Sequence, residues 1–177
     1  MNISRRDAVL RGLAIMSSGG FCKVTDTTVG AETMNEAKSE TFFALYPVGE
    51  VKKQYGSIKL QIFNKYCDAL KGLDGFSHVF VLYWFDRNDT PEKRSILQVH
   101  PRGNRKNPLT GVFACRAPVR PNLIALSLCK ILAIENGTIV IDKIDAFDGS
   151  PILDIKPYIS SINRKPKDIR LPDWLKD

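Results

Sequence analysis

Histidine and cysteine are scarce in this chain. Two histidines, His78 and His100, and four cysteines, Cys22, Cys67, Cys115 and Cys129, are spread over 177 residues, and no two cysteines form a CxxC pair. A structural zinc site needs four ligands at close spacings, so no metal is expected. Four cysteines are also too few to staple a chain of this length as a disulfide scaffold. They read as small, buried apolar side chains. No run approaches the ~18 consecutive apolar residues of a membrane span. No GxGxxG follows a strand pattern and there is no P-loop, so Rossmann and P-loop nucleotide sites are not supported. No internal repeat is visible.

What is present is ordinary globular composition, 44% hydrophobic and 25% charged. The length suits one domain with something short attached. Lysine and arginine total 26 against 19 acidic residues, a formal charge of +7. That balance favours anionic partners, RNA among them.

Residues 1–33 stand apart from the fold. Ser4-Arg5-Arg6-Asp7-Ala8-Val9-Leu10 resembles a twin-arginine export signal, a short apolar stretch from Gly12 to Phe21 follows, and Val29-Gly30-Ala31 suits signal peptidase. The alternatives are export by the twin-arginine route and a cytoplasmic protein translated from Met34. The expected organisation is a leader over 1–33, one β domain over 42–160 and a basic C-terminal tail over 161–177.

The body reads as mainly β, of α+β type. Phe42 to Val51 is expected as a first strand. Ile58, Leu60 and Ile62 alternate with Lys59 and Gln61, the period of a half-buried strand. Tyr66, Ala69, Leu70 and Leu73 mark one face of a short helix, with Asn64 as N-cap and Gly72 at its end. Val79 to Phe85 is a continuous apolar run, as in a strand buried on both faces. Ile96–Val99 and Gly111–Cys115 are expected as strands on either side of a basic loop, Pro101 to Thr110. Leu126–Ile134 and Thr138–Ile144 flank Asn136-Gly137, a strong hairpin signal because both residues tolerate positive φ. Ile152–Ile155 is a last short extended run. Many short strands with one helix predict a β-barrel or sandwich.

Two segments carry chemistry. Gly111-Val112-Phe113-Ala114-Cys115-Arg116-Ala117-Pro118-Val119-Arg120-Pro121-Asn122 is a loop held extended by prolines. Its arginines are either solvated or aimed at a carboxylate or phosphate, which guanidinium grips bidentately. Asp145-Ala146-Phe147-Asp148-Gly149-Ser150-Pro151-Ile152-Leu153-Asp154-Ile155-Lys156-Pro157-Tyr158 brings an Asp-Gly turn, acid, base and phenol close together. It is either a ligand-lining turn or a plain turn with an Asp–Lys bridge.

Gly111–Asn122, Leu126-Ser127 and Asp148–Tyr158, with Gly75-Phe76-Ser77-His78 upstream, resemble the TsaA-like (TrmO, YaeB) family from about Tyr46 to Tyr158. The resemblance implies a non-Rossmann β-barrel with one or two short helices, a homodimer, and an S-adenosyl-L-methionine-dependent methyltransferase. The implied substrate is tRNA carrying N6-threonylcarbamoyladenosine at position 37, methylated on N6. Family cofactor contacts fall on Asp86, Arg87, Arg116, Leu126 and the turn Asp148, Gly149, Ser150 and Pro151. Arg116 suits the cofactor carboxylate, Asp148 and carbonyls its cationic centres, and Leu126 its adenine. N6 is a poor nucleophile, so a base or hydrogen-bond acceptor assists it. Asp154, Lys156 and Tyr158 are the candidates for that role or for orienting the substrate. Arg102, Arg105 and Lys106, with Arg164, Lys165, Lys167 and Arg170, are candidates for tRNA phosphates. Cys115, Leu123 and Ala125 stand where members usually carry Thr, Pro and Gly, and only about Lys52 to Ser57 fills a loop that is longer in many members. The alternative is an exported or cytosolic TsaA-like ligand-binding module without tRNA methyltransferase activity.

Overall fold

A computed structural model of the protein describes residues 42–160 and 170–175. The leader, its cleavage site and Arg164, Lys165 and Lys167 of the tail lie outside the described residues.

The described residues form eight strands: β1 (Gly49–Gln54), β2 (Ser57–Ile62), β3 (His78–Trp84), β4 (Gln98–Val99), β5 (Thr110–Gly111), β6 (Ile124–Glu135), β7 (Thr138–Ile141) and β8 (Pro151–Pro157). Six of them close a barrel in the order β1-β2-β7-β6-β3-β8, with β8 pairing back onto β1. Every described barrel pairing is antiparallel. β4 and β5 form a separate two-stranded ribbon. The β-barrel expectation is borne out. No described helix is long and apolar enough to cross a membrane.

Local chemistry explains the closures. Tyr55 and Gly56, at φ 50° and 74°, turn β1 into β2. Asn136 and Gly137, at φ 48° and 75°, turn β6 into β7 as expected of Asn-Gly. β2 alternates as expected, with Leu60 and Ile62 buried and Lys59 and Gln61 exposed. The inward residues Val51, Leu60, Val79, Val81, Ile139 and Ile152 are fully buried. Each contributes about 1.5–3 kcal/mol relative to exposure.

Four expectations are corrected. The first strand begins at Gly49, and Phe42, Phe43, Leu45 and Tyr46 are exposed outside it. Pro47 has no N–H to donate to a ladder there. β3 is buried on one face: Val79, Val81 and Tyr83 point inward, while Phe80, Leu82 and Trp84 are half-buried outside. The helix is two 3₁₀ turns, Asn64–Leu70 and Leu73–Gly75, separated by Gly72 at φ 82°. Phe63, not Asn64, stands at its N-cap, with no side-chain bond. The strands around the basic loop shrink to Gln98–Val99 and Thr110–Gly111, because Val112–Ala114 winds into a 3₁₀ turn.

Candidate functional site

The barrel has an open seam. β7 leaves β6 at Asp142, whose N–H donates to the Lys130 carbonyl at 3.1 Å and whose Oδ1 accepts from Lys130 N–H at 2.8 Å. Among the described residues, the first half of β6 is therefore paired on its β3 side only. Phe85 N–H donates to Leu123 O and Ile131 N–H to Ser77 O, which sets the phase of the ladder. Odd-numbered residues of β6 here face β3, so the N–H and C=O groups of Leu126 and Leu128 face the seam. A groove of about 690 Å³ runs along this edge, with Tyr83, Phe85, Lys143 and Asp145 among its other walls.

Arg116 projects into the groove from the proline-bearing loop. Its guanidinium has no hydrogen-bond or ion-pair partner among the described residues. Arg120 takes a different part. Its Nη2 donates to Val112 O at 2.8 Å and Cys115 O at 3.5 Å, pinning the loop that carries Arg116. Arg94 Nη1 donates to Pro121 O at 3.0 Å and fixes the far end of that loop.

The other expected cofactor residues form one knot at the same end of the barrel. Ser150, only 2% exposed, donates to Asp86 Oδ1 at 3.0 Å. Gly149 N–H donates to Val51 O at 2.7 Å, and Val51 N–H to Ser150 O at 3.0 Å. Asp148 Oδ1 accepts from Lys53 N–H at 2.7 Å. Arg87 lies over the Phe147 ring at 3.8 Å, and Pro151 registers with Glu50. The knot meets the groove through Phe85, which precedes Asp86, and through Asp145, three residues before Asp148.

Asp154, Lys156 and Tyr158 lie elsewhere. Asp154 and Lys156 register with Leu82 and Phe80 on the outward face of β8. Lys156 Nζ is 2.6 Å from Asp154 Oδ2. Tyr158 packs against Phe80 and His78. None of the three lines the groove.

Sequence reasoning missed Tyr83 and Asp145. Tyr83 OH donates to Asp145 O at 2.9 Å, and Ser127 Oγ is 3.5 Å from that hydroxyl. Burial raises the Tyr83 pKa, so the phenol is a neutral donor that fixes the Asp145 backbone. No alternation in the apolar sequence of β3 marked Tyr83; strand geometry puts it inward at the strand's end. Ala125, at the position where the family usually has Gly, is almost fully buried on the groove floor, and Leu123 is wholly in the core.

A closed antiparallel barrel with an unpaired strand edge and an arginine-bearing loop beside it defines a small non-Rossmann binding domain. The chain belongs to the family described as the tRNA-methyltransferase O N-terminal domain, whose model matches residues 46–164. It is 45% identical over 121 residues to a probable S-adenosyl-L-methionine-binding protein of Methanocaldococcus jannaschii, covering 68% of this chain and 96% of the relative. It is 41% identical over 115 residues to the tRNA (adenine(37)-N6)-methyltransferase of Homo sapiens, covering 65% of this chain and 25% of that protein. A crystal structure of TrmO from Pseudomonas aeruginosa superposes with a TM-score of 0.59 at 25% identity, over 77% of this chain and 63% of the solved one. The chain thus spans under two thirds of the solved TrmO chain.

Proposed function

We propose that this protein is an S-adenosyl-L-methionine-dependent methyltransferase acting on N6 of adenosine in tRNA, the threonylcarbamoylated adenosine at position 37 being its substrate. The observation that carries the reading is Arg116, presented on a pinned loop above a strand edge, both without a partner among the described residues. The names of the relatives support it.

The residues fit the cofactor. A groove of about 690 Å³ lies in the range of small-molecule sites. Leu126 offers a donor and an acceptor side by side, matching the amino group and ring nitrogen of adenine. Arg116 pairs with the carboxylate. Backbone carbonyls around the groove suit the positive sulfonium and ammonium. On this reading the second oxygen of Asp86 takes a ribose hydroxyl, while Arg87, Asp148, Gly149, Ser150 and Pro151 hold in shape the knot that carries Asp86. Bound there, the cofactor supplies an electrophilic methyl. The protein's part is alignment and the exclusion of water.

The homodimer belongs to the same proposal. Leu126 and Leu128, each 45% exposed, stand beside Phe80 and Leu82 on the outward face of β3 and β6. A second copy covers that face. Asp154, Lys156 and Tyr158 adjoin it, and from there they orient the tRNA bound to the partner's groove. Exposed Arg102, Arg105, Lys106 and Arg170 contact phosphates. The barrel domain is the catalytic unit, working in the cytoplasm, where tRNA and cofactor are found.

The test is calorimetric titration of the protein with S-adenosyl-L-methionine, with Arg116→Ala as control. Micromolar binding lost in the variant, followed by methylation of tRNA, is the expected result. Binding without methylation of any tRNA leaves the ligand-binding module. No binding by the folded protein removes both readings.

A further inference from the structure

A second cavity, of about 1020 Å³, opens beside the groove. Pro101, Phe113 and Pro118 line it, and Leu171 and Trp174 of the C-terminal segment complete its wall. Phe113 is 83% exposed although it sits on the 3₁₀ turn that Arg120 pins. A large aromatic held rigid and bare is a stacking surface without a stack. Arg102 lines the same cavity, and Arg105 and Lys106 follow on the same exposed loop. Aromatic faces inside and cations at the rim are what an unstacked base and its phosphates need.

The two cavities share Cys115, Arg116 and Asp145. Asp145 is exposed, and its carboxylate has no hydrogen-bond or ion-pair partner among the described residues. Its backbone is fixed by Tyr83. Asp154, by contrast, is paired with Lys156 outside both cavities.

We propose that this second cavity receives the acceptor adenine, turned out of its strand, and that Asp145, at the seam, accepts the hydrogen bond from the nitrogen to be methylated. The inference rests on the methyltransferase reading above. In the transfer, the lone pair of that nitrogen forms the new N–C bond. The pair of the breaking C–S bond stays on sulfur. The N–H proton passes to the Asp145 carboxylate and then to water.

The experiment uses the full chain and a single-stranded RNA containing the threonylcarbamoylated adenosine. Trp84→Phe leaves Trp174 as the fluorescent reporter, because the chain has two tryptophans. The RNA is expected to quench Trp174. Phe113→Ala weakens RNA binding about ten-fold, the scale of one lost base stack, with S-adenosyl-L-methionine affinity unchanged. Asp145→Asn keeps RNA affinity within about two-fold and lowers saturated turnover about 100-fold. Unquenched Trp174, or Phe113→Ala with wild-type RNA affinity, overturns the base cavity. Asp145→Asn with wild-type turnover overturns the acceptor role. In these outcomes an active wild type leaves the methyltransferase reading standing. A wild type that binds no S-adenosyl-L-methionine sinks that reading, and this one with it.

Discussion

Arg120 and Val112 are joined by a 2.8 Å hydrogen bond from guanidinium to backbone carbonyl. Arg120 thus supports the loop on which Arg116 is displayed. Removing the guanidinium leaves the Val112 and Cys115 carbonyls without that donor and frees the loop, so Arg116 must be ordered on binding. Arg120→Ala is expected to weaken S-adenosyl-L-methionine binding about ten-fold and to lower stability by about 1 kcal/mol. Arg120→Lys restores one donor and part of both effects. Calorimetry and thermal melts on the two variants check this; wild-type affinity in Arg120→Ala would remove Arg120 from the support of Arg116.

Ser150 and Asp86 are 64 positions apart in sequence and 3.0 Å apart in space. The hydroxyl is buried, and its donor ties the turn after β3 to the start of β8. Ser150→Ala is expected to cost about 1–2 kcal/mol in urea unfolding at unchanged slope. Ser150→Cys, with its weaker donor, should cost less than that only if shape rather than the bond to Asp86 is what matters.

The Asn-Gly turn is more demanding than its sequence signal implied. Gly137 has φ 75°, and a Cβ there would lie 2.7 Å from Cys67 Sγ. Gly137→Ala therefore meets backbone strain of about 1–2 kcal/mol and a steric clash with Cys67. Cys67→Ala added to Gly137→Ala relieves the clash and leaves the strain. Double-mutant unfolding measures the two separately, and a full recovery would show that φ costs nothing here.

The barrel was legible in the sequence because β2 carries a period-two pattern, the other strands are short apolar runs bounded by turn residues, and the hairpin carries Asn-Gly. The short helix was misread because i, i+3, i+4 spacing marks a face without fixing the helix type, and Gly72 cuts the segment. Arg116 was legible as one of two arginines on a proline-held loop, whereas Leu126 was legible only through resemblance. The seam itself was not legible. It arises because β7 is four residues long against twelve for β6, a mismatch visible only once the register is known. Asp145 opened the second chemistry-bearing segment but was given no role for the same reason: its place depends on where the chain leaves the sheet.

Cys129 makes the barrel sensitive to alkali. Its side chain is fully buried, and burial pushes the thiol from 9.0 up to about 11. In the unfolded chain the thiol ionises near its ordinary value, while in the barrel the thiolate is disfavoured. The folded pKa is raised, so the stability linked to this proton is complete below about 9 and is lost as pH climbs through about 11. Tyr83, raised by burial as well, acts in the same direction at higher pH. Urea midpoints should stay level from neutral pH to about 9 and fall above it. Cys129→Ala should lose about 1–2 kcal/mol at neutral pH to the small cavity, yet fall less steeply in alkali. An alkaline limb as steep in Cys129→Ala as in the wild type would assign the sensitivity to Tyr83, and Tyr83→Phe would then flatten it.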